Sequence, residues 1–401
     1  MRDNYLPTKD RKMTSNNRKN NEDHSQSHSA LVQENLVEEI KANEGWISFE
    51  DFFDFVMYQP GLGYYSAGAK KLGASADFTT SPEISRLFGK TVSNQVKAFL
   101  NNFESPSIIE IGAGSGRLAY DIITNLINSK TDFDKYYILE VSADFRERQK
   151  QELSLLPDDA FDKVIWLDSI LEAPVEGIVI GNEVIDALPF KRFKVIDNKV
   201  HEIGVTIKND QLTESTRDAD KTLAEEVRLI EKALNRDFEQ NYTSEIRLNF
   251  GKWLKGVSSM LKSGAILFID YGYSRQEYYA EDRKNGSMIC HYRNTAHENP
   301  FLNLGVQDIS ASVEFTLLAE KALEEHLEVG LFTSQSDFLI NGNILGELDK
   351  IEDDSLRIQL TQEIKQLLMP SQMGQTFKCM MLFKNISLDS FDGIRDLRHT
   401  L

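Results

Sequence analysis

The chain has 401 residues, of which 41% are hydrophobic, and a formal net charge of −18. This length suffices for a large domain with a buried core. The acidic balance argues against general nucleic-acid binding, which needs a basic face, and it suits a basic partner. Only two cysteines, Cys290 and Cys379, are present. They exclude a disulfide framework and favour a reducing compartment. We expect the cytoplasm for a bacterial chain or the mitochondrial matrix for a eukaryotic one, and we expect no membrane span.

The N-terminal quarter contains a polar stretch followed by helical patterns. Residues 1–30 are predicted to be disordered, because they carry too few apolar side chains to form a core. Residues 31–103 show helical periodicity, with Ser48 as a candidate N-cap. Irregular segments at 60–66 and 76–85 interrupt that pattern. We interpret residues 31–103 as a helical cap whose polar and aromatic loops face a ligand.

A glycine-rich turn follows the cap. Residues 107–110 are typical of a strand, Gly112, Gly114 and Gly116 come next, and apolar residues at helical spacing occupy 118–127. Glycines allow the backbone to approach a ligand closely, and the following helix N-terminus offers unpaired N–H groups. A dinucleotide fingerprint would need a third glycine where Arg117 stands. Taken alone, the turn is equally typical of an ordinary strand-to-helix connection.

Strands and helices alternate after the turn, which predicts a mostly parallel sheet with helices on both faces. We interpret residues 104–388 as the core domain and 389–401 as a tail. Two insertions interrupt the core: a hairpin with an acidic helix at about 190–243 and an irregular stretch at 275–305. Strands are predicted at 136–141, 163–167, 177–181, 265–269 and 374–383, and helices at 143–155, 244–261 and 308–326, the last of these capped by Asp308.

Polar residues follow each predicted strand at the edge where ligands bind in such sheets. Glu140 follows the second strand and could accept hydrogen bonds from two ribose hydroxyls. Residues 168–169 follow the third strand and suit an adenine edge, whereas 182–189 and 270–273 follow the fourth and fifth. One acid at a strand end is more often a helix N-cap. Acids after four successive strands favour a binding site.

Several segments together resemble the MidA-type methyltransferases, a class I S-adenosylmethionine-dependent family that includes the mitochondrial complex I assembly-factor arginine methyltransferase. The resemblance extends from about residue 36 to 383 and implies a Rossmann-like sheet of seven strands, the last antiparallel. Ala76 stands where the family has glycine, and residues 288–297 differ in spacing from relatives. The segments are 63–66 (Gly-Tyr-Tyr-Ser), 77–85 (Asp-Phe-Thr-Thr-Ser-Pro-Glu-Ile-Ser), 110–116 (Glu-Ile-Gly-Ala-Gly-Ser-Gly), 139–142, 181–189 and 268–272.

The resemblance implies S-adenosylmethionine as cofactor, S-adenosylhomocysteine as product and a protein arginine as acceptor, with a respiratory-complex subunit as a candidate by analogy. The cofactor-binding residues that we predict are Tyr65, Ser66, Thr80, Ser81, Glu110, Gly112, Ala113, Gly114, Gly116, Glu140, Val141, Asp168, Ser169 and Asn182. The predicted substrate-binding residues are Glu83, Asp270, Tyr271, Tyr292, Arg293 and His297.

Glu183 and Asp186 are the predicted catalytic pair. A guanidinium group is protonated at any working pH, and its nitrogens are poor nucleophiles. Two carboxylates could hold it by charge-assisted bonds, draw its positive charge to the far nitrogens and aim one nitrogen at the methyl group. An equally weighted alternative is that Asp186 caps a helix and Glu183 acts alone.

The sequence is also compatible with two other functions. The glycine turn does not specify the acceptor, so a small-molecule methyltransferase is one alternative. A chaperone or assembly factor that keeps the fold without catalysis is another. Cys290, His291 and His297 match no standard metal site in their spacing, so no metal is expected. The sequence also lacks a P-loop and a nucleophile elbow, which disfavours NTPases and hydrolases.

Overall fold

A computed structural model describes residues 15–66, 80–293, 295–386 and 393–401. The helices are α1 (Ser15–Ala42), α2 (Phe49–Tyr58), α3 (Ser81–Ile84), α4 (Arg86–Leu100), α5 (Arg117–Asn128), α6 (Ala143–Leu153), α7 (Asp158–Phe161), α8 (Lys221–Leu234), α9 (Phe250–Ser259), α10 (Arg275–Tyr278), α11 (Phe315–Glu324), α12 (Gln335–Asn341), α13 (Ile344–Asp349), α14 (Asp354–Leu368) and α15 (Met373–Thr376). The strands are β1 (Trp46–Ser48), β2 (Ser107–Ile111), β3 (Tyr136–Leu139), β4 (Val164–Leu167), β5 (Val175–Asn182), β6 (Lys191–Ile196), β7 (Lys199–Lys208), β8 (Gln211–Asp218), β9 (Thr243–Ile246), β10 (Leu261–Tyr273), β11 (Ile289–Tyr292), β12 (Thr295–His297), β13 (Asp308–Ser310), β14 (Val313–Glu314), β15 (Glu328–Ser334) and β16 (Phe377–Lys384).

The central sheet has the strand order β15-β16-β10-β5-β2-β3-β4, and the short β14 pairs with the end of β10. Strands β4, β3, β2, β5 and β10 run parallel to one another, whereas β16 is antiparallel to both β10 and β15. The predicted mostly parallel α/β sheet of seven strands with an antiparallel last strand is therefore confirmed.

Apolar residues alternate between the two faces of this sheet, as buried strands require. On one face, Ile108 packs in a core with Phe88 of α4 and Ile122 of α5. On the other face, Ile109 packs in a core with Leu254 of α9. Both cores hold the strand ends rigidly. The loops after β2, β3 and β5 consequently occupy fixed positions at one edge.

The predicted cap and the 190–243 insertion pack together. Strand β1 of the cap pairs with β7 of the insertion, which pairs with β6 and β8, and β9 completes this second, antiparallel sheet. The rings of Phe49 and Phe53 on α2 lie 5.5 and 4.9 Å from the ring of Phe190. Ser48 accepts a hydrogen bond from the Asp51 N–H at 3.0 Å, which confirms it as the N-cap. The insertion contains the expected hairpin and helix, α8.

Three expectations about local structure are wrong. Residues 15–30, which the sequence predicts to be disordered, belong to helix α1. His28 of this segment contacts the Leu62 carbonyl oxygen at 2.9 Å, so a tertiary contact supports the helix upstream of its apolar residues. Strand β9 occupies the start of the predicted 244–261 helix, because it pairs with β6. Asp308 begins strand β13, which pairs with β11, and α11 starts only at Phe315, capped by Glu314.

The C-terminal tail packs against the core where it is described. The Thr333 hydroxyl donates to the Arg395 carbonyl oxygen at 2.7 Å. The Leu397 N–H donates to the Phe332 carbonyl oxygen at 2.6 Å. Over the described part of the chain, no helix combines the length and apolar character needed to cross a membrane.

Candidate active site

A cavity with a volume of about 330 Å³ lies at the carboxyl ends of β2, β3 and β5. Its size is within the usual range for small-molecule sites. The predicted residues that line it are Tyr65, Thr80, Glu83, Glu110, Gly112, Ala113, Gly114, Glu140, Val141, Asn182 and Glu183. The predicted residues that do not line it are Ser66, Ser81, Gly116, Asp168, Ser169, Asp186, Asp270, Tyr271, Tyr292, Arg293 and His297.

The glycine turn forms one wall of this cavity. Gly112, Gly114 and Gly116 have φ angles of +63°, +52° and +88°, a region that side-chain-bearing residues rarely adopt. A Cβ atom added at Gly116 would lie 3.0 Å from the Gln149 Cα atom, so this glycine permits close packing of α5 on α6. A Cβ atom at Gly114 would meet no described atom within 4 Å. The cavity therefore has open space beside Gly114.

Glu110 is buried at the end of β2. The Tyr136 hydroxyl donates to its Oε2 atom at 2.6 Å. Burial raises the pKa of Glu110 to about 7, the bond from Tyr136 opposes that rise, and the charge of Glu140 adds to it. A bound cation would favour the ionised form of both acids. The cavity is thus suited to a ligand that carries positive charge.

Glu140 is held in place by two donors. The Ser142 N–H donates to its Oε1 atom at 2.9 Å, and the Gln149 side-chain amide donates to its Oε2 atom at 3.0 Å. The same amide donates to the Gly114 carbonyl oxygen at 2.9 Å. Gln149 accepts in turn from the Trp166 indole N–H at 3.0 Å. Gln149 therefore connects Glu140 to the glycine turn, a role that its position in a charged helix does not reveal.

Asp168 and Ser169 lie outside the cavity. The Asp168 side chain is 91% exposed and forms an ion pair with Arg146 at 2.6 Å. Arg146 also donates to the Glu140 carbonyl oxygen at 2.7 Å. Val141, which is 75% exposed, and Phe145 form the cavity wall near this edge. The predicted contact of 168–169 with an adenine edge remains a prediction.

Glu183 follows β5 directly and adopts a left-handed conformation with φ of +53°. Its Oε1 atom accepts from the Ser81 N–H at 3.0 Å and from the Asn182 side-chain amide at 3.1 Å. Burial raises the pKa of Glu183 to about 8, and the nearby charge of Asp186 contributes to the rise. The Asn182 Oδ1 atom is buried and has no hydrogen-bond partner among the described residues. Both residues therefore present polar acceptors on the cavity wall.

Asp186 caps no helix, because residues 183–188 form a turn. The N–H groups of this turn are bound by Asp270 instead. Its Oδ2 atom accepts from Val184, Ile185 and Asp186 at 3.2, 2.9 and 3.2 Å. The alternative in which Asp186 is a helix cap is therefore wrong. Burial raises the pKa of Asp186 to about 6, and Arg247 opposes that rise. Its buried Oδ1 atom has no hydrogen-bond partner among the described residues, although the Ala187 N–H and the Tyr271 hydroxyl lie near enough to this carboxyl to lower its pKa.

The predicted substrate residues separate into three groups. Glu83 lines the cavity and accepts from the Ser115 hydroxyl. Asp270 is occupied by backbone donors, and the Tyr271 hydroxyl donates to the Ser310 hydroxyl at 2.8 Å. The third group, Tyr292, Arg293 and His297, belongs to the β11–β12 hairpin, away from the cavity walls.

The cap contributes aromatic side chains to the cavity. The Tyr65 hydroxyl donates to Asp308 at 3.2 Å, and its ring stacks on that of Tyr58 at 5.4 Å. The Tyr58 hydroxyl donates to the Ala187 carbonyl oxygen at 2.6 Å, which fixes the cap to the turn after β5. Ser66 instead donates to backbone carbonyls of its own loop. Residues 67–79, including Ala76 and the first part of the 77–85 motif, lie outside the described residues.

Sequence reasoning missed several lining residues. Tyr58, Arg117, Phe145 and Trp253 line the cavity but belong to no predicted motif. Each is an ordinary member of a helix in sequence, and only tertiary packing brings it to the site. In the ranges that the structure describes, no group of three or more His, Cys, Asp or Glu side chains is arranged to hold a metal ion.

Comparison with known proteins identifies the family. A family model described as "Putative S-adenosyl-L-methionine-dependent methyltransferase" matches residues 87–333, more than half of the chain. The chain belongs to this methyltransferase family. Its cofactor is S-adenosyl-L-methionine, which supplies the methyl group. The open space at Gly114 and the unpartnered Asn182 Oδ1 atom fit a polar ligand that presses against the glycine turn.

Relatives and solved structures cover nearly the whole methyltransferase. The zebrafish (Danio rerio) protein arginine methyltransferase NDUFAF7, mitochondrial, is 26% identical over 384 residues, which is 88% of this chain and 87% of the relative. The rat (Rattus norvegicus) protein of the same name is 27% identical, with 89% and 85% covered. A Burkholderia thailandensis COG1565 superfamily protein bound to S-adenosyl-homocysteine is 33% identical, with a TM-score of 0.87 and 94% and 98% covered.

Replacing Glu140 by alanine should weaken cofactor binding to the methyltransferase by about 1.5–3 kcal/mol, the usual contribution of hydrogen bonds to a charged group. Isothermal titration calorimetry with S-adenosylhomocysteine measures this loss. Glu147→Ala, which removes an exposed acid from the nearby helix α6, is the matched control and should retain the original affinity. Equal affinities of the two variants would show that Glu140 acts only on local structure.

The buried carboxyl of Glu183 should make the stability of the cofactor-free methyltransferase depend on pH. Its folded-state pKa of about 8 lies above the ordinary value of 4.5, so the folded chain retains a proton that the unfolded chain loses. The free energy of unfolding should therefore fall as pH rises from about 4.5 to about 8, by about 1.4 kcal/mol per unit of pKa difference, or on the order of 5 kcal/mol in all. Urea denaturation at several pH values measures the slope.

Glu183→Gln should reduce this slope, because glutamine does not titrate; the raised pKa values of Glu110 and Asp186 account for part of the slope that remains. Glu172→Gln, at an exposed position, is the control and should leave the slope unchanged. An identical slope in the parent and in Glu183→Gln would contradict the raised pKa.

Proposed function

We propose that this methyltransferase transfers a methyl group from S-adenosylmethionine to an arginine nitrogen of a protein. The observation that carries the proposal is the Glu183 carboxylate, which lines the same cavity as the glycine turn and has Asp186 close enough to raise its pKa. Glu183 on the cavity wall, with Asp186 buried in the same turn, suits a cationic acceptor, because the negative charge of each carboxylate favours the charged guanidinium.

Glu183 is proposed to bind the acceptor guanidinium directly. Its Oε1 atom is fixed by the Ser81 N–H and the Asn182 amide, so the side chain is held before the acceptor arrives. A fixed carboxylate localises the positive charge on the nearer nitrogens and leaves a more nucleophilic nitrogen facing the methyl group. Binding of the cation also lowers the cost of ionising Glu183 in this buried place.

Asp186 is proposed to act with Glu183. The attacking nitrogen forms a bond to the methyl carbon, the carbon–sulfur bond breaks with its electron pair going to sulfur, and the nitrogen loses one proton. Asp186 does not line the cavity, so it is proposed to act through Glu183: Glu183 accepts that proton, and the charge of Asp186 raises the proton affinity of Glu183. A pKa of about 6 allows Asp186 to be ionised near neutral pH.

Two further observations support a protein acceptor. The relatives that cover most of the chain are named protein arginine methyltransferases. The net charge of −18 favours the approach of a basic segment. A respiratory-complex subunit remains a predicted acceptor by analogy alone. The compartment, bacterial cytoplasm or mitochondrial matrix, also remains a prediction; the curated relatives carry the word mitochondrial in their names.

The experiment that tests the proposal incubates the purified protein with methyl-labelled S-adenosylmethionine and an extract of its native cell. Tandem mass spectrometry then locates the label. We expect it on arginine side chains of one or a few proteins. Label confined to the low-molecular-weight fraction would instead support a small-molecule methyltransferase. Absence of label above that of a heat-inactivated sample, together with tight cofactor binding, would support the non-catalytic alternative.

A further inference from the structure

A second cavity lies beside the cofactor cavity and has a volume of about 330 Å³. Leu188 and Trp253 line both cavities, so these two side chains form the partition between them. Leu188 belongs to the turn that carries Glu183 and Asp186. An occupant of the second cavity would therefore lie next to the proposed acceptor site.

The second cavity carries an excess of negative charge. Glu50, Asp51 and Asp54, all on the first part of α2, line it. Lys191 lies 3.8 Å from Glu50 but is bound more closely by Glu202, at 2.5 Å. Within the described ranges, no cation lies at ion-pair distance from Asp51 or Asp54. Partial burial of its carboxyl group raises the pKa of Asp54, and the charge of Asp51 adds to the rise. A cation in this cavity would relieve that repulsion.

Arg247 adds an independent requirement for a hydrogen-bond acceptor. It lines the second cavity and is only 6% exposed. Its two terminal nitrogens donate to the carbonyl oxygens of Ser312, Ala311 and Asp186 at 2.9, 2.7 and 3.1 Å. Its buried Nε atom has no partner in the part of the chain that the structure describes. A buried donor without an acceptor is unfavourable, and a ligand carbonyl could satisfy it.

We propose that the second cavity binds a lysine or arginine side chain of the acceptor protein, at a site separate from the arginine that is methylated. This inference rests on the proposed function. A basic peptide segment supplies a cation for the three acids and a backbone carbonyl for Arg247, whereas a metal ion or a free polyamine supplies only the cation. Because Leu188 and Trp253 separate the two cavities, a segment that bridges them spans one layer of side chains, on the order of 10 Å by the spacing of packed sheets. An extended peptide covers that distance in about three residues.

The test uses the full-length protein saturated with S-adenosylhomocysteine and a set of fluorescein-labelled peptides of nine residues. Each peptide has a central arginine and one lysine in a glycine-serine background, and the lysine occupies a different position in each peptide. Fluorescence anisotropy gives the Kd values. We expect lysine about three residues from the arginine, on one side, to strengthen binding about fivefold over the other positions, the scale of an exposed ion pair.

Two variants test whether the preference for one lysine position depends on the second cavity. Asp54→Asn should abolish the positional preference, and it should leave the fold intact because Asp54 is exposed and caps no helix. Glu38→Gln removes an exposed acid from α1 and should retain the preference. Equal binding at all lysine positions would overturn the proposal, as would a preference that survives Asp54→Asn or a complete lack of peptide binding.

The same peptides with citrulline in place of the central arginine separate this proposal from the proposed function. Citrulline keeps the shape of arginine but is neutral. If citrulline peptides bind as tightly as arginine peptides while the lysine preference remains, the proposed arginine site fails and the second subsite is retained. If binding depends on arginine but not on the position of lysine, only the second subsite fails.

Discussion

Replacing Glu183 by glutamine is expected to lower the rate of methyl transfer by about two to three orders of magnitude, the usual cost of removing a charge-stabilising group from an active site. Cofactor affinity should change little, because glutamine keeps the size of glutamate and can still accept from Ser81 and Asn182. The interaction lost is the one that strengthens as charge shifts toward the transition state. Single-turnover rates on the native acceptor, together with calorimetry for S-adenosylhomocysteine, separate the two quantities.

Asp186→Asn completes this experiment. If the two carboxylates act as a pair, its effect should approach that of Glu183→Gln; a mild effect would leave Glu183 as the only carboxylate that matters. Glu172→Gln, at an exposed position, should retain the parent rate. Near-normal turnover in Glu183→Gln would contradict the assignment. The acceptor carboxylate would then have to be sought at Glu83, which lines the cavity, at Asp270 or in the loop at 293–298.

Replacing Gly114 by valine is expected to abolish cofactor binding. A valine Cβ atom at this position points into open cavity space, and its branched methyl groups would occupy the volume where the ligand meets the backbone. The φ angle of +52° is also strained for a β-branched residue. Calorimetry with S-adenosylhomocysteine should detect no binding, and Gly114→Ala should show a smaller loss.

Gly45→Val is the matched control for this substitution. Gly45 has a φ angle of +80° and, like Gly114, no described atom within 4 Å of an added Cβ atom, but it does not line the cavity. It should suffer comparable backbone strain and retain cofactor affinity. A folded Gly114→Val protein that binds S-adenosylhomocysteine as tightly as the parent would remove the glycine turn from the binding site.

The alternating pattern and the glycine turn predicted the central sheet because both signals are local. Strands of buried aliphatic residues, such as 177–181, are recognisable without knowledge of their partners. Other elements depend on pairing between distant segments. Asp308 is compatible with a helix cap in sequence, yet it begins a strand because β11 lies beside it. The N–H groups of the turn after β5 likewise donate to Asp270, which is distant in sequence and comes close only because β10 lies beside β5 in the sheet.

The predicted site residues also differ in whether local sequence or distant contacts determine their positions. Glu110 lies at the end of β2, and Gly112, Gly114, Glu140 and Glu183 follow strand ends closely, so the sheet itself brings these residues to the cavity. The side chain of Asp168 also follows a strand end but turns outward to pair with Arg146, a competition that sequence does not reveal. Gln149 and Tyr136 support the acids from buried positions. Their importance depends on contacts that only the folded structure defines.

The most direct test of methyl transfer to arginine is a comparison of arginine methylation in cells that carry the gene, cells that lack it and cells complemented with either the parent or the Glu183→Gln protein. Quantitative mass spectrometry of the proteome makes the measurement. The account predicts at least one methylarginine that disappears on deletion, returns with the parent protein and does not return with Glu183→Gln at equal protein abundance. An unchanged set of methylarginines in all four strains would contradict it.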